Sequence, residues 1–236
     1  MSEKRIWELD ALRGVCILCM IAIHFVYDLV ELYGIVNWDY PPLFALVKQW
    51  GGVLFLLISG VCVTLGHHPV RRGLIVFAGG LLCTAVTGGM YLLQLSDSSI
   101  LIWFGVLHCL GVCMLLWPLF QKMPLWLLGV LGAVLAGLGL WFQGIKVPFD
   151  FLAPLGLVSE HFASSDYFPL LPHLGFFLLG AVLGRTAYRN RQSLLPRVDP
   201  QRQPIRFFCV CGRQSLPIYL LHQPVLALVC SLIDLF

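Results

Sequence analysis

The chain has 236 residues, of which 59% are hydrophobic and only 11% charged. A soluble domain carries about 25% charged residues, so this composition excludes an ordinary water-soluble enzyme. The net charge of +3 excludes little, because the placement of the charges matters more than their sum.

Length is therefore counted in membrane spans, each needing about 20 mostly apolar residues. Apolar runs set against turn and charge signals predict seven helices, at about 11–33, 43–66, 73–94, 100–118, 124–143, 169–188 and 213–234. The expected fold is thus an all-α bundle of about seven transmembrane spans, read as one domain over residues 1–236. The first span runs too far, from about Val15 to Tyr33, for a cleavable leader, so it is expected to remain. Gly88-Gly89 is expected to break the third helix near its end. A long Pro- and Ser-containing segment, 144–172, has room for a short interfacial helix near Phe149–Leu157.

Orientation follows from Lys and Arg. With a cytoplasmic N-terminus, one side collects Lys4, Arg5, Arg13, Arg71, Arg72, Lys122, Arg185, Arg189, Arg191, Arg197, Arg202, Arg206 and Arg213. The other side holds only Lys48 and Lys146, beside Asp39, Asp97, Asp150, Glu160 and Asp166.

Ionisable groups at membrane depth are expensive and mark function by default. The first helix carries Asp10, Arg13, His24 and Asp28. At 3.6 residues per turn these fall within a sector of roughly 60°. Such a stripe must face protein or a wet cavity. Arg13 sits at the cytoplasmic mouth, and His24 lies about 16 Å deeper. Asp28, one turn beyond His24, is placed to orient the imidazole and leave its other nitrogen as a base. His108, His173 and His222 add single histidines on three further spans, each either a packing residue or a second catalytic candidate. The Gly51-Gly52, Ser59-Gly60 and Gly79-Gly80 pairs read as close-packing sites between helices. Arg71 and Arg72 serve topology, or capture phosphate at the cytoplasmic face. The nine cysteines lie mostly in apolar runs as small packing residues, and Cys209-x-Cys211 lacks a second pair for zinc. No metal is assigned.

The stretch from Arg5 to Gly14, with its Leu-Asp-Ala-Leu-Arg-Gly core, is followed ten residues after Arg13 by His24. It resembles the opening of the transmembrane acyltransferase superfamily, in its heparan-alpha-glucosaminide N-acetyltransferase catalytic-domain branch. Further similar segments are Phe104-Gly105-Val106-Leu107-His108, Leu171-Pro172-His173 and Tyr219-Leu220-Leu221-His222-Gln223-Pro224. The resemblance implies transfer of an acyl group, usually acetyl, from cytoplasmic acyl-CoA to an extracytoplasmic acceptor, often a sugar or glycan. Acyl-CoA would be a co-substrate, with no cofactor held permanently. The implied roles are a base or acyl relay at His24, aided by Asp28, and CoA phosphate contacts at Arg13, Arg71 and Arg72. Asp10, His108, His173 and His222 are left as substrate-binding or secondary catalytic candidates. Expected partners are the bilayer, acyl-CoA and a carbohydrate, without nucleic acid, and a homo-oligomer is compatible with the resemblance. The expected location is a bacterial inner membrane. Heparan sulfate itself fits poorly, given the small outer loops.

Other classes compete. A transporter or flippase could use the charged stripe as its path, though no inverted repeat is evident. A bis-histidine haem protein would leave Arg13 and Asp28 unused. A retinal protein lacks its lysine in the last helix.

Overall fold

A computed structural model of the chain describes residues 5–234. Lys4, counted above among the cytoplasmic charges, lies outside the described residues. The regular secondary structure of the described residues is helical, with no β-strand. This is the expected response of an apolar backbone that must satisfy its own polar groups.

Eight α-helices follow in order: α1 Trp7–Tyr27, α2 Pro42–Leu65, α3 Pro69–Leu92, α4 Val106–Phe120, α5 Leu125–Phe142, α6 Leu170–Thr186, α7 Ile205–Arg213 and α8 Ser215–Asp234. Proline sets several of the starts. α2 and α3 begin on Pro42 and Pro69, and α5, α6 and α7 begin just after Pro124, Pro169 and Pro204. Its fixed φ and missing N–H suit a helix entry, where no intrahelical hydrogen bond is lost.

Five helical stretches are long and apolar enough to cross a membrane: Trp7–Leu32, Pro42–Leu65, Pro69–Leu92, Leu125–Phe142 and Ser215–Ile233. α4 and α6 are apolar but shorter. Each of the seven expected segments has a helix, with three differences. Residues 101–105 are extended rather than helical, so α4 starts later than expected. The segment near 149–157 forms only a 3₁₀ turn at Ala153–Leu155. α3 runs through Gly88-Gly89 unbroken to Leu92, since isolated glycines cost helix stability without forbidding it.

The chain divides into two compact units. In the first, residues 5–55 and 190–234, α1 packs on α7 through glycine. A Cβ built on Gly14 would overlap the Phe208 carbonyl, and one on Gly212 would overlap the Asp10 carbonyl. Cys209 and Cys211 are buried on α7, a helix placed where only a basic loop was expected. The Cys209 thiol donates to the Trp7 carbonyl at 3.4 Å. Buried Glu8 accepts the Leu194 N–H at 2.7 Å. Gly51 meets only Val47 of its own helix, so no close helix crossing depends on it.

In the second unit, Leu56–Arg189, small residues again set the spacing. Gly73 and Gly111 bring α3 against α4, Gly132 and Gly175 bring α5 against α6, and Gly60 and Gly180 seat α6 on the latter half of α2. At one end Arg185 donates to the Met123 carbonyl at 2.8 Å, which ties α6 to the α4–α5 turn. At the other end two loops pair. Ser165 N–H bonds to Leu101 O at 3.0 Å and Phe168 N–H to Phe104 O at 2.9 Å. The Asp166 carboxylate accepts the Val106 N–H at 3.0 Å and so caps α4.

Candidate functional site

Within the first unit the polar stripe of α1 faces α7 and α8, position by position. Asp10 lies 3.8 Å from Arg213 and 3.9 Å from Arg5. Arg13 donates from Nη2 to Ser215 Oγ at 2.8 Å and lies over the Phe55 ring. The His24 ring meets the His222 ring edge-to-face, with centroids 5.0 Å apart. Asp28 accepts from Gln223 Nε2 at 3.0 and 3.2 Å. Tyr33 donates to the Ala227 carbonyl at 3.4 Å. Partner numbers rise on both helices together, so α1 and α8 run parallel.

The expected His24–Asp28 pair is replaced by two contacts to α8. From Asp28 to Leu32 the helix widens to π winding. The turn from His24 to Asp28 is itself α-helical, with the Asp28 N–H bonded to the His24 carbonyl, yet the Asp28 carboxylate, 1% exposed, is turned onto Gln223. Helix widening of this kind is frequent at functional sites. Gln223 was absent from the residues singled out by sequence, though its place beside His222 and before Pro224 was a visible signal.

Hydrogen-bond chemistry fixes the state of His222. Its Nδ1 faces the Tyr219 carbonyl, which can only accept, so Nδ1 carries the proton. In the neutral ring Nε2 is then a bare lone pair, buried without a partner among the described residues. Gln223 turns its N–H groups to Asp28, and its Oε1 is likewise buried and unpartnered. Two neighbouring acceptors therefore await a donor, and buried polar groups left this way call for an explanation.

The remaining candidates lie in the second unit and differ in kind. His108 accepts the Gly105 N–H on Nδ1 at 3.2 Å, so its proton sits on Nε2 and points to Thr84 Oγ1 at 3.4 Å. Thr84 in turn donates to Ile102 O at 2.7 Å. That ring, seated against Gly80, is saturated and pins the extended 101–105 segment. His173 binds the Pro169 carbonyl through Nδ1 at 2.6 Å. Arg71, exposed, and Arg72 stand in the first turn of α3. Among the described residues no three His, Cys, Asp or Glu side chains converge as a metal site.

The apolar helices suggest a multi-pass membrane protein, and the half-buried His24 and His222 rings meet where α1 packs on α8. The family model described as heparan-alpha-glucosaminide N-acetyltransferase, catalytic, matches residues 5–224, and the chain belongs to this family. Membership indicates a membrane acetyltransferase, of a family that uses acetyl-CoA as co-substrate. No curated protein and no solved structure gave a match.

Proposed function

We propose that this protein transfers an acetyl group from cytoplasmic acetyl-CoA to a hydroxyl or amine of a sugar on the opposite side of the membrane. The observation carrying this reading is the bare, buried Nε2 of His222 beside His24. The acceptor O–H or N–H gives its proton to this imidazole pair as its oxygen or nitrogen attacks the thioester carbonyl. The tetrahedral oxyanion collapses, the C–S bond breaks, and the imidazolium returns the proton to the departing CoA thiolate. Asp28 acts by holding Gln223, whose Oε1 accepts a second donor from the acceptor. Arg13, whose Nε has no partner among the described residues, and the Arg71-Arg72 pair are each cations available to a CoA phosphate. Asp10 keeps Arg213 in place, while His108 and His173 act as packing groups.

The family match spans residues of both units, which supports reading 1–236 as one acyltransferase domain. Parallel α1 and α8 support an odd number of crossings. We take that number as seven, the shorter apolar helices α4 and α6 each counting as a span. The second unit also separates its charges. Arg71, Arg72, Lys122 and Arg185 lie toward the end where Arg185 meets Met123, and Asp97, Asp150, Glu160 and Asp166 lie on the opposite loops. This favours a cytoplasmic N-terminus. A reporter in the 189–203 loop should read cytoplasmic and one after Phe236 extracytoplasmic. Two reporters on the same side would refute seven spans.

The deciding experiment incubates purified protein with labelled acetyl-CoA and a panel of glycans. Transfer of label to a glycan is expected. Label moved across vesicles without consumption of acetyl-CoA would favour a transporter instead. Arg71→Gln with Arg72→Gln should weaken acetyl-CoA binding by about 1–3 kcal/mol for each arginine–phosphate hydrogen bond removed. Unchanged binding by the folded double variant would leave both arginines to topology alone.

A further inference from the structure

The loops joining α3 to α4 and α5 to α6 enclose an open cleft of about 550 Å³. Trp103, Phe104 and Phe162 line it with aromatic surface, and Ser98, Asp150 and His161 add hydroxyl, carboxylate and imidazole groups. None of these belongs to the histidine pair or its partners.

The walls are braced by the protein's own hydrogen bonds. Asp150 accepts the Ser159 N–H at 2.7 Å and its hydroxyl at 3.1 Å. The Tyr167 hydroxyl donates to Ala153 O at 2.7 Å, and Phe168 N–H closes onto Phe104 O. Burial and the nearby Asp150 push the Tyr167 phenol up to about 12, so it remains a donor at any physiological pH. A site held this way loses little freedom on binding. Trp103 nevertheless leaves 58% of its surface open beside the cleft.

Aromatic faces next to a few polar groups suit a pyranose ring, which offers a C–H face for stacking and hydroxyls around its edge. The volume lies in the usual range of roughly 300–1,000 Å³ for such ligands. Charge narrows the choice. These loops carry Asp97, Asp150, Glu160 and Asp166 against Lys146, and Ser99 donors hold Asp97 below the usual carboxylate range. Their field repels sulfate and uronate groups.

We propose that this cleft binds a pyranose ring of a glycan free of acidic groups, stacked on Trp103 and hydrogen-bonded by Asp150 and His161. Its role in presenting the acceptor rests on the acetyltransferase reading; the binding itself does not.

The test is direct binding of purified full-length protein to an array of neutral, amino, sulfated and uronate-containing oligosaccharides. Neutral or amino members should be retained. Trp103→Ala should weaken them about tenfold, and Trp103→Tyr should restore most of the loss. Absence of glycan binding, preference for sulfated members, or full affinity in Trp103→Ala would overturn the site. So would quenching of Trp103 by brominated phospholipid, which would place the indole in the bilayer interface. The two readings fail separately. A protein that transfers acetyl groups with an unaltered KM in Trp103→Ala loses only the cleft. One that binds glycans yet consumes no acetyl-CoA loses only the enzyme.

Discussion

His222→Ala is expected to slow acetyl transfer by about 10² to 10⁴-fold, or about 3–5 kcal/mol, while acetyl-CoA binding survives. The Tyr219 carbonyl holds the Nδ1 proton, so the single lone pair of this ring is on Nε2, buried and facing no described partner. A histidine kept for packing has no need of that arrangement, as His108 shows by using both nitrogens inside the fold. His24→Ala should produce a loss of the same order, because its ring closes the other side of the pair. Turnover should fall in acid, since a protonated Nε2 offers no lone pair. The pair also permits a two-step course, with one imidazole carrying the acetyl group. Protein incubated with labelled acetyl-CoA alone would then retain label, and the variant lacking the carrier would not. Near-normal turnover by both alanine variants would end the assignment and return attention to His173.

Much of this site was legible because helix one is periodic. Asp10, Arg13, His24 and Asp28 share a face by arithmetic alone, and all four meet α7, α8 or the residues beside them. Their partners were not legible. Ser215 and Gln223 are common residues whose meaning comes from lying against α1, and sequence spacing carries no information across about 200 residues. The i to i+4 rule paired His24 with Asp28, and the turn between them is α-helical, but each side chain is taken by a neighbour on α8 instead. α7 was hidden for another reason. Its nine residues mix Arg206 and Arg213 with apolar positions, a pattern that reads as a basic loop until Gly212 and Cys209 are seen against α1. The extended 101–105 segment was apolar enough to pass for helix, and the Ser164–Phe168 pairing that straightens it is a tertiary contact.

Gly212→Ala should destabilise the folded protein by the upper part of the usual 1–3 kcal/mol overpacking cost, or more. The added carbon would run into the Asp10 carbonyl and stand 2.9 Å from the Gly14 nitrogen. Both obstacles are backbone, so no side-chain rotation relieves them, and α7 must move off α1. Gly14→Ala makes the same collision from the other side, against the Phe208 carbonyl and 3.1 Å from the Gly212 nitrogen. This is the physical reason for glycine after Arg13 in the opening motif. The damage should also reach function, because α7 leads directly into Ser215, the partner of Arg13. Gly88→Ala provides the contrast: no described atom lies within 4 Å of a carbon added there, and the position is already helical. That variant should melt at or slightly above the wild-type temperature, since alanine favours a helix over glycine by up to about 1 kcal/mol. Thermal unfolding of the three variants in detergent, followed by size-exclusion recovery, would order them. Equal melting of Gly212→Ala and Gly88→Ala would mean that α7 does not sit on α1 as closely as the two glycines allow.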